Sequence, residues 1–434
     1  MKVWVVNPFD NLPLEGYRPQ RYWLMAKAFA AAGHEVTLVT SWWSHANKAP
    51  RRFVHGSEPA VGDTAPGDGF TVRFLQTPAY TKNISIRRFF SHIILARNFA
   101  RELNLAKSTG TVPDLLVVSS PTLGLARAAR KSGVPYIVDI MDDWPGTFER
   151  ILPRWMLSPL AAIARRNCLG ARKVSVVARK YADLVVNLGY RGPVKRFYHG
   201  IEMGTDPDKV QSAECGVPGA KGTVPREFRL VYIGNIGRSY DLETVVRGVM
   251  RLADEGVTLD IAGDGPDLAR IREIAGDCPR EIAGDCPHEI TGVCPRAIRF
   301  HGYLGEAALV KLLADCDAGT VPMFADSEVG VPYKLADYVK AGLPVVNSLP
   351  GETEELLARY GAGVKYEAGN VDDLVGAVRK MRASLQNRRG LSQQECGVRS
   401  AECGVRRGLS PAFKSLFDAG RIYREYVEWA LNEK

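Results

Sequence analysis

The sequence alternates twice between short apolar runs and helical segments, and this alternation limits its fold more than any other feature. Apolar runs typical of buried strands occur in the first half at 2–7, 35–40, 71–76, 115–120, 136–140, 173–178 and 194–198. Strands that alternate with helices predict a parallel, doubly wound sheet, which binds ligands beyond the carboxyl ends of its strands. Because the alternation restarts at Phe228, the sequence predicts an α/β protein with two such domains.

The predicted domain boundaries follow a change in composition. Residues 201–226 are rich in glycine and proline and poor in large apolar residues, as an interdomain linker would be. We therefore assign 1–200 to an N-terminal domain and 227–387 to a C-terminal domain, facing each other across a cleft. The last segment, 411–434, has the pattern of a closing amphipathic helix.

Two segments of short repeats interrupt the second half. An eight-residue unit occurs three times in 272–295, and R-R-G-L-S and E-C-G-V occur twice each in 388–410. One interpretation is a metal or partner site formed by Cys278, Cys286 and Cys294. The other, which we favour, is duplication tolerated in surface loops, because lengthening a loop adds little to the entropy of closing it.

Composition excludes several classes of protein. A net charge of +9 over 434 residues fits an anionic partner, and no nucleic-acid motif is present. No apolar stretch approaches twenty residues, and the N-terminus enters a strand at once, so we expect neither a transmembrane helix nor a signal peptide. Without a C-x2-C pair, a zinc site is not expected either. These features predict a cytoplasmic protein.

The stretch 327–348 predicts a loop, a helix, a turn and a buried strand. Gly330 loosens the loop, and Pro332 suits a helix start, where its missing N–H is no loss. Lys334 and Asp337 lie three residues apart near that start, so they are neighbours. A cation, a carboxylate and free backbone N–H groups together are what a nucleoside diphosphate site needs.

Two glycine-rich turns follow strands of the second half, at 234–241 and 261–266. Glycine lets the backbone approach a phosphate closely, and an arginine can bridge two of its oxygens. The candidate residues in these turns are Gly234, Gly237, Arg238, Gly263, Asp264 and Gly265.

Two places at the carboxyl ends of the first-half strands are candidate sites. Gly16 follows the first strand, where it serves either a phosphate or only a turn. Asp142, Asp143 and Trp144 follow the fifth strand, as an acceptor site or as a solvated loop packed by one tryptophan. No G-x-G-x-x-G follows the first strand, which argues against a dinucleotide enzyme.

Residues 84–107 have the pattern of an amphipathic helix rich in arginine and aromatic residues. The plain interpretation is a surface helix packed on the sheet. The sharper one is contact with a membrane surface, with Arg87 and Arg88 at anionic head groups and Phe89 and Phe90 inserted.

Four motifs of the second half, together, resemble those of family-four retaining glycosyltransferases of the GT-B fold. They are Y-I-G-N-I-G-R, I-A-G-D-G-P, R-F-H-G-Y-L and G-V-P-Y-K-L-A-D-Y-V-K-A-G-L-P-V-V. The N-terminal part, from G-Y-R-P-Q to S-W-W-S-H, is similar to bacterial O-antigen and exopolysaccharide transferases of the WbuB-like type. The resemblance covers nearly the whole chain except the repeats.

The resemblance implies that the second domain holds the donor. Arg238 and Lys334 would bind its diphosphate and Asp337 its ribose hydroxyls, with no metal or other cofactor. The family's E-x7-E motif is altered here, because Asp337 replaces the second glutamate and Val329 occupies the first position. Glu328, one residue earlier, is then the candidate acid. Two further departures are Tyr240, where a basic residue is usual, and Met141 after the fifth strand.

The function implied by the resemblance is transfer of a hexose-type sugar, with retention, from a UDP- or GDP-linked donor. The acceptor would be a glycan or lipid-linked molecule in cell-surface polysaccharide or lipopolysaccharide synthesis. Two alternatives remain: a GT-B nucleotide-sugar epimerase, and a degenerate nucleotide-binding scaffold subunit. The expected location is the cytoplasm, with peripheral contact at the inner face of the plasma membrane.

Overall fold

A computed structural model describes residues 1–54, 64–82, 85–120, 122–149, 152–203, 227–276, 297–395 and 409–432. These residues form two compact units. The first comprises Met1–Glu202, Glu328–Val331 and Leu416–Lys434, and the second comprises Met203–Ser327 and Pro332–Ser415. Most of the predicted linker 201–226 and of the repeats 272–295 and 388–410 lies outside the described residues.

The described strands of the first unit form a large sheet and a small two-stranded one. They are β1 (Lys2–Val6), β2 (Glu35–Ser41), β3 (Trp43–Ser44), β4 (Ala49–Pro50), β5 (Thr64–Pro66), β6 (Thr71–Leu75), β7 (Leu115–Ser119), β8 (Tyr136–Ile140), β9 (Lys173–Val176) and β10 (Val194–Arg196). The large sheet has the order β10-β9-β8-β7-β1-β2-β6-β5, and β3 pairs with β4. Every pairing in the large sheet is parallel except that of the edge strand β5.

The second unit contains one described sheet, and all of its pairings are parallel. Its strands are β11 (Phe228–Ile233), β12 (Val257–Ala262), β13 (Ile298–Gly302), β14 (Ala318–Val321), β15 (Val345–Asn347) and β16 (Gly363–Lys365). Their order is β13-β12-β11-β14-β15-β16. The prediction of two parallel, doubly wound sheets is confirmed.

Helices connect most of these parallel strands, as parallel pairing requires. The described helices are α1 (Arg21–Ala31), α2 (Ile86–Ser108), α3 (Leu123–Ser132), α4 (Arg154–Leu169), α5 (Arg179–Asn187), α6 (Leu242–Arg251), α7 (Leu268–Ile274), α8 (Glu306–Asp315), α9 (Tyr333–Lys340), α10 (Glu352–Arg359), α11 (Val371–Glu395), α12 (Pro411–Ser415) and α13 (Ala419–Leu431). None of the helices in the described part of the chain is long and apolar enough to cross a membrane.

The C-terminal segment, predicted as one helix over 411–434, forms the two helices α12 and α13. The break has a local cause, because the Asp418 carboxylate accepts a hydrogen bond from Gly420 N at 3.1 Å and caps α13. Helix α13 belongs to the first unit, where the Tyr426 ring packs 6.3 Å from Phe29 of α1 and 4.9 Å from Phe197, measured between ring centroids.

A buried ion pair fixes α1 to the first sheet. Arg21 of α1 donates two hydrogen bonds of 2.8 Å to Asp139 of β8, and both side chains are buried. Asp139 also accepts a hydrogen bond from Ser175 Oγ of β9 at 2.5 Å, and Ser175 lies 3.2 Å from the Tyr426 hydroxyl of α13. Burial alone would raise the pKa of Asp139, but Arg21 and the hydrogen bonds from the Ser175 and Tyr22 hydroxyls hold it below its ordinary value.

Candidate active site

The two glycine turns of the second unit lie against each other at the carboxyl ends of β11 and β12. Gly234 N donates to Ala262 O and Ile236 N donates to Asp264 O, each at 2.9 Å. A β-carbon on Gly263, whose φ is +150°, would lie 1.8 Å from Gly234 O. This contact leaves no room for any other residue at Gly263, so the turns form one close-packed backbone surface.

Lys334 lies at the start of α9 against this surface. A β-carbon on Gly234 would be 3.6 Å from Lys334 Nζ, and the ammonium lies 3.9 Å from the ring centroid of Tyr232 and 4.2 Å from that of Tyr240. The side chain is buried, and Nζ has no hydrogen-bond partner among the described residues. Burial holds the pKa of Lys334 well below its ordinary value, and the charge of Asp337 opposes that shift.

Tyr338, one turn further along α9, determines where Lys334 lies. Its hydroxyl accepts a hydrogen bond from Ile233 N at 3.2 Å and lies 3.1 Å from Thr320 O. Its ring packs over Gly319, where a β-carbon would be 2.6 Å from the ring. Because Tyr338 bonds to the last residue of β11, the first turn of α9 lies beside the glycine turn that follows this strand.

The remaining candidate residues of this unit surround the same edge. Asp264 Oδ1 accepts a hydrogen bond from Gly265 N at 2.7 Å, and a β-carbon on Gly237 would be 3.8 Å from Pro266. Arg238 is exposed on the first turn, and Asp337 is buried on α9. An exposed arginine, a buried lysine and closely packed glycine backbone are suited to binding a diphosphate.

Two family models match most of the chain. A glycosyl transferase 4-like domain matches residues 19–197, and the glycosyl transferases group 1 model matches residues 227–384. The chain belongs to the glycosyltransferases of the GT-B fold. A sequence comparison with curated proteins gives no match.

Solved structures support the fold of this glycosyltransferase along its length. Sucrose-phosphate synthase from Thermosynechococcus elongatus is 12% identical with a TM-score of 0.65, covering 99% of this chain and 98% of that one. Anabaena HepE with UDP and glucose is 14% identical with a TM-score of 0.59, and the lipopolysaccharide outer core galactosyltransferase WaaB is 14% identical with a TM-score of 0.55. Both of these comparisons cover 99% of each chain.

Glu328, the candidate acid, is grouped with the first unit of the glycosyltransferase, whereas Arg238 and Lys334 belong to the second. Its carboxylate lies 3.6 Å from Lys180 Nζ, and its backbone oxygen accepts a hydrogen bond from the Tyr181 hydroxyl at 2.8 Å. The sequence had placed Glu328 inside the C-terminal domain 227–387, and its contacts to α5 account for the difference.

The first-unit candidates occupy the loops after β1 and β8. Burial raises the pKa of both Asp142 and Asp143, and the charge of Glu328 raises that of Asp143 further. The charge of Lys180 opposes both shifts. Trp144 packs edge-on against Phe148, with ring centroids 4.7 Å apart. The acceptor role of these residues stays a prediction.

Gly16, the other first-unit candidate, ends a short 3₁₀ helix, Pro13–Glu15, with a φ of +83°. Its N–H donates to Pro13 O at 2.9 Å. The turn therefore explains the glycine by itself, and its contact with a donor phosphate stays a prediction.

Sequence reasoning missed the aromatic walls of the lysine site, Tyr232 and Tyr240. Their signal was the spacing Y-I-G-N-I-G-R-S-Y, which places one aromatic residue on each side of the glycine turn. It also missed His45, Lys48 and His92, which meet at the carboxyl edge of the first sheet.

Replacing Gly263 with alanine is expected to destabilise the second unit by about 2 kcal/mol or more, because the new β-carbon would overlap Gly234 O. Urea unfolding measures this loss. Gly305→Ala is the matched control, since a β-carbon there meets nothing within 4 Å. If both variants lost the same stability, the close packing of the two turns would be contradicted.

Proposed function

We propose that this glycosyltransferase takes a sugar from a UDP- or GDP-linked donor and transfers it, with retention, to a glycan or lipid-linked acceptor of cell-surface polysaccharide synthesis. The observation that carries the proposal is Lys334, a buried ammonium with no hydrogen-bond partner among the described residues, beside a surface of backbone glycine. A buried cation is costly unless an anion accompanies it, and a diphosphate would supply one. Anabaena HepE, which shares the fold, is known with UDP and glucose.

In the proposed reaction, the bond between the anomeric carbon and the β-phosphate oxygen breaks as the acceptor oxygen bonds to that carbon from the same face. The acceptor hydroxyl gives its proton to the departing phosphate oxygen. Negative charge grows on the diphosphate while its bond to the anomeric carbon breaks and before that proton arrives, and Lys334 and Arg238 would stabilise it. Fixed groups of this kind contribute several kcal/mol to lowering a barrier. Asp337 would accept hydrogen bonds from the ribose hydroxyls.

We propose that this charge is offset by the protein alone, without a metal ion. Within the described residues, no group of three or more His, Cys, Asp or Glu is placed to hold one. The transfer rate should then be unchanged by a chelator such as EDTA. A rate that falls with EDTA and recovers with Mg²⁺ would overturn this part of the proposal.

Calorimetric titration with UDP, GDP and ADP tests the nucleotide, followed by incubation of the matching nucleotide sugar with and without acceptor. A transferase is expected to consume donor rapidly only when acceptor is present. An epimerase would release the free sugar from the donor alone. A scaffold subunit would bind the nucleotide and never turn over.

We also propose peripheral membrane contact through the start of α2. Ile86, Phe89 and Phe90 are 76%, 52% and 54% exposed, and the neighbouring Arg87 is exposed as well. Exposed aromatic residues beside a cation suit the interface of an anionic bilayer. Arg88, which the sequence had placed at the head groups, instead lies over the Phe9 ring, 5.6 Å from its centroid.

The double variant Phe89→Ser/Phe90→Ser is expected to bind anionic vesicles about tenfold more weakly or worse, because two inserted rings are lost. Vesicle flotation measures the bound fraction. Leu105→Ser is the matched control, since Leu105 is 53% exposed near the other end of α2. Equal binding by wild type and the double variant would exclude this contact.

A further inference from the structure

Seven side chains meet at the carboxyl edge of the first sheet, and we call them the rim cluster. Phe9 follows β1, Tyr80 follows β6 and Trp144 follows β8, while the other members come from the turn between β3 and β4 and from α2. The cluster consists of Phe9, His45, Lys48, Tyr80, Arg88, His92 and Trp144. It lies where parallel sheets bind ligands, because backbone groups and loops converge there.

The aromatic members form a continuous wall. The Phe9 ring centroid lies 5.3 Å from that of His45 and 5.5 Å from that of His92, and His92 in turn lies 5.8 Å from Trp144. His45 Nδ1 is 2.7 Å from the Tyr80 hydroxyl. Such a wall offers flat apolar faces to a sugar ring or a lipid chain.

The charged members are both cations. Lys48 Nζ lies 3.3 Å from His45 Nδ1 and 5.4 Å from the Tyr80 ring centroid. The Arg88 guanidinium lies 5.9 Å from that same centroid, and its Nε is 3.4 Å from His92 Nε2. Two positive charges therefore border one ring.

Burial and the nearby positive charges lower the pKa values of several members of the cluster. Burial, and after it the charge of Arg88, lowers the pKa of Lys48 to about 8. Burial, with Lys48, Arg88 and His92 acting in the same direction, lowers the pKa of His45 to about 3. Burial and Arg88 lower the pKa of His92 to about 4. Both imidazoles are thus neutral at pH 7, and an anion would relieve the repulsion.

Buried polar atoms without partners lie next to the cluster. Asn7 Oδ1 accepts a hydrogen bond from Phe9 N at 2.6 Å, but Asn7 Nδ2 has no partner among the described residues. The same holds for Ser119 Oγ on the neighbouring strand, where Val6 of β1 pairs with Val118 of β7. Buried polar groups are nearly always hydrogen-bonded in folded proteins, so these atoms have hydrogen-bonding capacity left for water or a polar ligand.

We propose that the rim cluster binds a phosphate or diphosphate group, with Arg88 and Lys48 contacting its oxygens and the aromatic wall contacting the group that carries it. Resting on the proposed function, this ligand is an acceptor whose sugar is attached to phosphate. A guanidinium binds two phosphate oxygens at once, and the lysine acts as a compact charge beside it.

Titration with inorganic pyrophosphate tests this proposal on the full chain saturated with UDP, so that the heat reports a site other than the one UDP fills. Arg88→Gln is expected to weaken binding about tenfold or more, because one charge-assisted contact is lost. Arg87→Gln is the matched control, since Arg87 is the exposed neighbour on the same helix. Midpoints of thermal unfolding equal to that of the wild type would show that both variants fold.

The pH dependence separates an anion site from a structural cluster. Pyrophosphate only gains negative charge as the pH rises, yet its affinity is expected to fall between pH 7 and pH 9 as Lys48 loses its proton. Lys48→Arg keeps its charge over this range and should remove the fall.

Equal pyrophosphate affinities in the Arg88→Gln and Arg87→Gln variants would overturn the proposal. It would be overturned as well if anionic vesicles, but not pyrophosphate, bound in an Arg88-dependent way, because the ligand would then be a lipid head group. If UDP fails to bind, the proposed function fails, and the pyrophosphate comparison still decides whether the rim cluster binds phosphate.

Discussion

Lys334→Met is expected to slow sugar transfer by about 10²–10³-fold and, at the same time, to raise the stability of the unliganded protein. The lysine is buried between the Tyr232 and Tyr240 rings, and its pKa is well below the ordinary value because of that burial. Two cation–π contacts stabilise the ammonium by about 1–2 kcal/mol each, whereas desolvating it costs several kcal/mol. Methionine fills a similar volume and packs well against aromatic rings. The free energy of unfolding should therefore rise by about 1–3 kcal/mol.

The rate of sugar transfer should fall in the same variant, although its stability rises. If Lys334 stabilises the charge that grows on the diphosphate, its loss should lower kcat by about 10²–10³-fold. Steady-state kinetics with the matching nucleotide sugar and acceptor measure this loss of kcat.

Lys340→Met provides the control, because Lys340 lies at the far end of the same helix. Its Nζ forms an ion pair with Glu306 Oε1 at a distance of 3.9 Å. That variant should keep both its transfer rate and its stability. A Lys334→Met protein that retained more than a tenth of wild-type turnover would rule out the proposed role. A protein destabilised by this substitution would show that the ammonium is paired in the unliganded state.

The sequence was sufficient to predict features that depend on neighbouring residues in the chain. Apolar runs between turns predicted the parallel strands, because a strand buried on both faces has no polar alternation. Gly234, Gly263 and Lys334 could be identified because each follows a strand or begins a helix. These positions are determined by local pattern, and the structure places all three together.

The rest depended on strand order, which the pattern along the chain does not encode. Phe9, His92 and Trp144 come from segments separated by up to 135 residues in sequence, and they meet only because β1 and β8 lie in the order β8-β7-β1. Glu328 was misplaced for the same reason, since its contacts to Lys180 and Tyr181 join residues nearly 150 positions apart. The family motif predicted which residue types occur, and tertiary packing decided their neighbours.

The buried ion pair of the first unit is expected to be the most sensitive structural feature of the chain. Arg21 and Asp139 are 1% and 0% exposed, and Arg21 Nη1 also donates to Phe197 O and Tyr198 O at 3.0 and 3.1 Å. Asp139→Asn leaves the guanidinium buried without a counter-charge, which should cost about 3–5 kcal/mol. Because the pKa of Asp139 is held below its ordinary value, the wild type should also lose stability as the pH falls below the ordinary range of an aspartate towards that pKa.

A second buried aspartate provides the comparison for this prediction. Asp260 in the second unit is fully buried and accepts hydrogen bonds from Arg229, Arg299 and His301, but those partners are 26–34% exposed. Water can therefore solvate them when the carboxylate is lost, and Asp260→Asn should cost less, about 1–3 kcal/mol. If Asp139→Asn and Asp260→Asn lost the same free energy of unfolding, burial of the arginine partner would not determine the size of the loss.

The double variant Arg21→Met/Asp139→Leu tests whether the ion pair itself stabilises the fold, or whether the loss in Asp139→Asn comes from leaving Arg21 buried without a counter-charge. With both charges removed, no uncompensated ion remains, so the double variant should be more stable than Asp139→Asn alone by about 2 kcal/mol or more. Amide exchange in α13 supplies a local readout, because Ser175 connects Asp139 to Tyr426 of that helix. Exchange in α13 should quicken in Asp139→Asn and slow again in the double variant. If the double variant were no more stable than Asp139→Asn, the uncompensated charge of Arg21 would not be the cause of the loss.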